Sequence, residues 1–152
     1  SVKAIEDLSE AININPNDAK AFKLRGEVNF AREEILDAIH EYTEAIRISR
    51  DYRDAYFKRA LCYDDINKLD LAVADYTRAI EIEPRVGAYI NRANLNRQIG
   101  KYEEAYSDLD NALQLDPNAQ DAKDLLENWR AFDEAMELRK GTSFEKAFKK
   151  KS

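Results

Sequence analysis

At 152 residues, 36% charged and 44% apolar, with four glycines and three prolines, the chain has the make-up of one soluble, helix-rich domain. It holds no run of about 18 apolar residues, which excludes a membrane-spanning helix, and its single cysteine, Cys62, excludes an intramolecular disulfide. Residues 138–152 carry six Lys/Arg against one acid, net +5, so the −6 of the whole chain leaves −11 on the other 137 residues, an acidic body unsuited to nucleic-acid phosphates.

The first predicted helix covers 1–14. In Ala4-Ile5-x-x-Leu8-x-x-Ala11-Ile12-x-Ile14 the apolar residues fall on one helical face. The pattern returns at Ala38–Ile48, Ala72–Ile82 and Ala105–Leu115, and predicts helices over 34–49, 69–82 and 102–115. We call these B helices. Between them, A helices are predicted over 18–31, 52–65 and 86–98. Each carries a bulky aromatic (Phe22, Tyr56, Tyr89) and, four residues on, a small residue (Gly26, Ala60, Ala93). The two lie one turn apart on one face. Small residues at fixed points let a neighbouring helix approach closely, where a larger side chain would cost about 1–3 kcal/mol. Pro16, Pro84 and Pro117 follow B helices at one phase, because the residue before a proline is pushed out of the α region. Short A-to-B loops are expected at Asn67-Lys68 and at Gly100.

A fixed period of about 34 residues marks a stacked repeat array. Residues 1–18 read as the second half of a unit, and 19–52, 53–85 and 86–119 as three full units. A longer helix from about Ala119 to Arg139 is expected to cap the array, giving a capping segment of 120–140. Its Leu125, Leu126, Trp129 and Phe132 would cover the last unit while its acids face water. The basic tail, 141–152, holds Thr142-Ser143-Phe144-Glu145, the form of a capping box. A short amphipathic helix there would dock on the array, on a neighbour or on an anionic membrane; a solvated terminus is the plainer reading. The chain begins with Ser rather than Met, which is consistent with a removed upstream segment.

A further regularity joins the two helix types. Arg25, Arg59 and Arg92 recur just before the small residue of helix A, and Asp7, Glu41, Asp75 and Asp108 recur within helix B. Each Arg is expected to reach an acid of its own or the preceding unit, because the guanidinium fork suits a carboxylate. Catalytic chemistry is hard to build. His40 is the lone histidine, Cys62 reads as a half-buried packing thiol, and no glycine-rich phosphate loop exists. No enzyme activity, metal or cofactor is expected.

Tyr56, Ala60, Tyr63, Ala72, Tyr76, Ala79 and Pro84 of the second unit together resemble the tetratricopeptide repeat family, over residues 1–119. Asn29 and Asn96 depart from the family's helix-A tyrosine, and Arg50 from its proline. The resemblance implies an all-α, right-handed α-α superhelix whose A helices line a concave groove. At the inward phases stand Lys20, Lys23, Glu27 and Phe30, then Asp54, Phe57, Lys58, Leu61 and Asp64, then Ile90, Asn91, Asn94 and Arg97. Phe57, Leu61 and Ile90 would form an apolar contact patch, or else pack internally, and Lys23, Lys58 and Arg97 would steer a partner's acids. The expected function is a non-catalytic cytoplasmic adaptor for a protein or peptide. The alternative is an assembly unit, a homo-oligomer built through Ile5, Leu8 and Ile12 of the half repeat. The carboxylate clamp that binds Hsp70 and Hsp90 C-termini is matched only at Lys23; Glu27, Lys58, Gly87 and Asn91 occupy its other positions. Such peptides are therefore not expected to bind, since Glu27 repels a carboxylate.

Overall fold

The computed structural model describes the backbone of residues 1–149 and the side chains of residues 1–140. The elements are α1 (Val2–Ile14), α2 (Ala19–Ala31), α3 (Ile35–Ile48), α4 (Arg53–Asp65), α5 (Leu69–Ile82), α6 (Val86–Gln98), α7 (Tyr102–Leu115) and α8 (Gln120–Lys149). No strand occurs among the described residues. The pairs α2/α3, α4/α5 and α6/α7 pack most extensively, and they stack in chain order with α1 at one end and α8 at the other. This is a superhelix of helix hairpins, with the bounds of α1 to α7 within two residues of those expected.

The small residues explain the stacking. Ala38, Ala45, Ala60, Ala72, Ala79, Ala93, Ala105 and Ala112 are wholly buried. Gly26 marks a close crossing: a methyl group built on it would lie 2.8 Å from Cε1 of Tyr42, itself 1% exposed. A further series that the sequence reading passed over is Ala21, Ala55, Ala88 and Ala122, all buried. Its last member lies on α8, so the cap starts as an A-type helix and joins the Leu109/Ala112 cluster.

The A-to-B loops share one geometry. Glu33, Asn67 and Gly100 occupy equivalent positions with φ of 61°, 59° and 84°. The next residue's N–H bonds a carbonyl five residues back in each case: Glu34 to Asn29, Lys68 to Tyr63 and Lys101 to Asn96. Glycine and asparagine tolerate this left-handed conformation, whereas Glu33 holds it at a cost of about 1–2 kcal/mol.

The arginines form a ladder. Arg25 reaches Glu41 at 3.0 Å, Arg59 reaches Asp75 at 2.7 Å and Arg92 reaches Asp108 at 2.6 Å, each within its own unit. Each also donates to a hydroxyl of the preceding B helix: Arg25 to Ser9, Arg59 to Thr43 and Arg92 to Thr77. Each guanidinium lies 5.6–5.8 Å from the ring of the aromatic three residues earlier, Phe22, Tyr56 or Tyr89. One side chain thus ties three helices. The longer Glu41 uses a single oxygen on Arg25 and leaves Oε2 buried without a partner. The aspartates of the other units accept from their arginines through both oxygens.

At the far end α8 is latched by Arg97. Its guanidinium bonds both oxygens of Asp133 at 2.7 and 3.3 Å and lies 4.8 Å from the Trp129 ring. The Tyr106 hydroxyl donates to the same carboxylate. Leu125, Leu126 and Trp129 cover the last unit as expected. Phe132 does not: it is 58% exposed and stands beside Arg97. Nor do all the acids of α8 face water, since Asp133 is tied to the array. The helix also runs unbroken through Gly141, so the stop expected after residue 140 is absent. An isolated glycine costs a helix only about 1 kcal/mol, and no proline follows to end it. The side chains of the Thr142–Glu145 box and of Lys149–Lys151 lie outside the described residues.

Two consequences are measurable in urea melts. Gly26→Ala is expected to lose about 1–2 kcal/mol, because overpacking against Tyr42 outweighs the helix propensity gained, while Glu33→Gly gains about 1 kcal/mol. The second concerns Asp133, whose carboxyl the Arg97 and Tyr106 hydrogen bonds hold below the usual range. A depressed value stabilises the folded state above the ordinary carboxylate range, and that contribution is lost as pH falls through the folded value. Asp133→Asn is therefore expected to be less stable than the native chain at neutral pH and equal to it in strong acid. Trp129, the sole tryptophan, reports the cap in both.

Candidate functional site

The A helices α2, α4 and α6 present the inward-phase residues, and the N-terminal part of that wall forms a pocket. Glu27, Phe30, Tyr42, Lys58 and Leu61 enclose about 250 Å³. Phe30 and Glu27 come from α2, Lys58 and Leu61 from α4. Tyr42 comes from α3 and reaches this place because Gly26 has no side chain to exclude its ring. Burial raises the Tyr42 phenol well above its ordinary range, so it remains a neutral hydroxyl. Cys62 packs with Ala38 and Tyr42. It is wholly buried rather than half-buried, and burial pushes its thiol up to about 12, which removes it as a nucleophile at neutral pH.

The pocket's rim is already paired. Glu27 Oε1 lies 3.2 Å from the Lys23 ammonium, one helical turn away, and 3.8 Å from Lys58 across the groove. Both cations expected to steer a partner's acids therefore share one internal carboxylate. Arg97, the third, is occupied by Asp133. These pairings arise because α2 faces α4 and α6 faces α8, contacts that helix phase alone does not reveal.

The apolar residues expected as one patch separate. Phe57 and Leu61 pack against the Tyr76/Leu95 cluster, with Phe57 edge-on to Tyr76 at 5.5 Å. Ile90 packs against the cluster beneath α8. Asn91 donates to the Tyr76 hydroxyl at 3.3 Å. Lys20, Asp54, Asp64 and Asn94 are exposed, and Asp54 accepts from its neighbour Arg53. The Asp64 carboxyl is raised, first by the partial desolvation its neighbours impose and then by the charge of Asp65.

On the half repeat, Ile5, Leu8 and Ile12 are half-buried, and Ile12 packs into the Phe22/Ala45/Ala55 cluster. The apolar residues most exposed on α1 are Val2 and Ile14. His40 is exposed on α3. Among the described residues, no three His, Cys, Asp or Glu side chains are gathered as a metal would require, and no helix is long and apolar enough to cross a membrane.

Known proteins give this architecture a family. The tetratricopeptide repeat profile matches residues 54–85 and 86–119. Mouse DnaJ homolog subfamily C member 7 is 37% identical over 84 residues, which cover 53% of this chain and 17% of that one. The crystal structure of MamA superposes with a TM-score of 0.70 at 31% identity, covering 72% of this chain and 65% of that one. The first such domain of Spaghetti (RPAP3), described as bound to the HSP90 peptide SRMEEVD, superposes with a TM-score of 0.69 at 26% identity, covering 78% and 92%. The chain spans less than a fifth of the DnaJ relative's length. Residues 54–119 match the tetratricopeptide repeat family as two consecutive repeats, and the solved structures that superpose on the chain include domains of that kind.

Proposed function

We propose that this protein is a non-catalytic adaptor that holds a segment of a partner protein along its concave wall, with one uncharged apolar side chain of that segment seated between α2 and α4. The pocket itself carries the reading. Its volume of about 250 Å³ is suited to a single side chain rather than a whole small ligand. Phe30, Leu61 and the neutral Tyr42 make its walls apolar, and Glu27 with Lys58 supplies a polar rim. Exposed Lys20, Asp54, Asp64 and Asn94 offer further polar contacts along the wall. Phe57, Ile90 and Asn91 shape that wall through their internal contacts and do not offer free side chains to a guest.

The rim also argues about what is turned away. An acidic peptide ending in a carboxylate needs free cations, and Glu27 already holds Lys23 and Lys58. Displacing Glu27 would leave two carboxylates competing for one pair of ammonium groups. We therefore read this groove as selecting internal segments over the C-terminal peptide carried by the Spaghetti domain.

Two experiments test this. A photo-crosslinking residue placed at Lys58 is expected to capture a defined partner segment, one placed at His40 is not, and Leu61→Gln reduces capture while the helical melt persists. Equal capture at both positions, or indifference to Leu61→Gln, contradicts the proposal. Labelled SRMEEVD peptide is expected to show no saturable anisotropy change with the native chain and to gain binding with Glu27→Asn. Saturable micromolar binding by the native chain would refute the exclusion.

A further inference from the structure

The apolar stripe of α8 outlasts the surface it covers. Leu125, Trp129, Phe132 and Met136 follow one another at spacings of four, three and four, so they lie along one face. Leu125 and Trp129 pack against the last unit. Phe132 and Met136 are 58% and 38% exposed, and Tyr102 beside them is 55% exposed. With Arg97 and Asp133 these three line an open depression of about 520 Å³. Aromatic residues, methionine and arginine are the types enriched at the centres of protein interfaces.

The charge of α8 says what covers that depression. Within the helix, residues 120–137 hold six acids and two bases, net −4, and residues 138–149 hold four bases and one acid, net +3. An acidic guest helix would be repelled by the first half, and a basic one by the second. A helix whose halves carry opposite charge is complementary to its own reverse. Parallel pairing would set like beside like, whereas antiparallel pairing sets each half against its opposite. The helix also has length to spare: 30 residues reach about 45 Å, against about 20 Å for the 13 or 14 residues of the repeat helices.

We propose that two copies of this chain pair through antiparallel α8 helices, the α8 of one copy covering Tyr102, Phe132 and Met136 of the other. The contact is twofold and closed, so it yields a dimer rather than a filament. It uses the opposite end of the array from the α2/α4 pocket and does not rest on the groove reading.

Sedimentation velocity on the full chain, from low micromolar to submillimolar concentration, tests this directly. The mass is expected to rise from 17.5 kDa towards twice that value, and less steeply in high salt. Phe132→Glu with Met136→Glu should keep the chain monomeric, with an unchanged helical melt. Glu134→Lys with Glu137→Lys should weaken pairing about tenfold, the scale of a few exposed ion pairs, and so should Lys146→Glu with Lys149→Glu. Mixing these two charge-reversed chains should give a heterodimer tighter than either alone. A monomer at every concentration overturns the proposal. So does a dimer that survives Phe132→Glu with Met136→Glu, which would put the contact elsewhere, or a mixture no tighter than its components.

Discussion

The fold depends on how closely two helices can approach. At each A–B crossing a glycine or alanine stands where one backbone meets the side chains of the next helix, and these residues have essentially no exposed surface. A protein interior is close-packed, so a single added methylene at such a point must displace a neighbour. The regular spacing that results holds the arginine ladder in register. Arg25, Arg59 and Arg92 each meet an acid of their own unit and a hydroxyl of the preceding one only because consecutive B helices lie at a repeated distance. Half-buried guanidinium groups would be costly if left unpaired, so the ladder penalises any slip in stacking.

The same regularity makes the departures informative. Glu41 stands where the other units have aspartate, and it leaves one buried oxygen without a partner. Gly26 stands where the others have alanine, and there Tyr42 reaches the inner wall. Both departures fall in the first full unit, which is also where the groove keeps its apolar pocket. In the proposed function, selectivity rests on what is already satisfied as much as on what is open. Glu27 pairs with Lys58 at the pocket and with Lys23 beside it, and on the proposed reading this turns free acids away in favour of uncharged side chains.

At the other end, α8 combines two roles in one helix. Its first turns repeat the A-helix pattern through Ala122 and seal the last hydrophobic cluster. Arg97 then fastens it by a bidentate pair to Asp133 and by stacking on Trp129. Beyond that latch the apolar stripe continues without a repeat beneath it. A lid built only to exclude water would be polar from there on, but Phe132 and Met136 are not.

The period, the bounds of α1 to α7, the hairpin stacking and the Arg–acid pairing were legible in the amino-acid order, whereas the end of α8 was not. They are consequences of local propensity and of apolar spacing, which repeat with the chain. The A-to-B turns were partly legible: Asn67 and Gly100 announced themselves, while Glu33 adopts the same left-handed backbone without a residue type that signals it. The groove was legible as a face and not as a site. Helix phase says which side chains point inward, but not that Lys23 and Lys58 meet on Glu27, that Tyr42 enters from α3, or that Arg97 is taken by a residue 36 positions later. Those outcomes depend on distances between helices far apart in sequence. Such distances are decided only when the whole array is packed and each charge settles on its nearest partner.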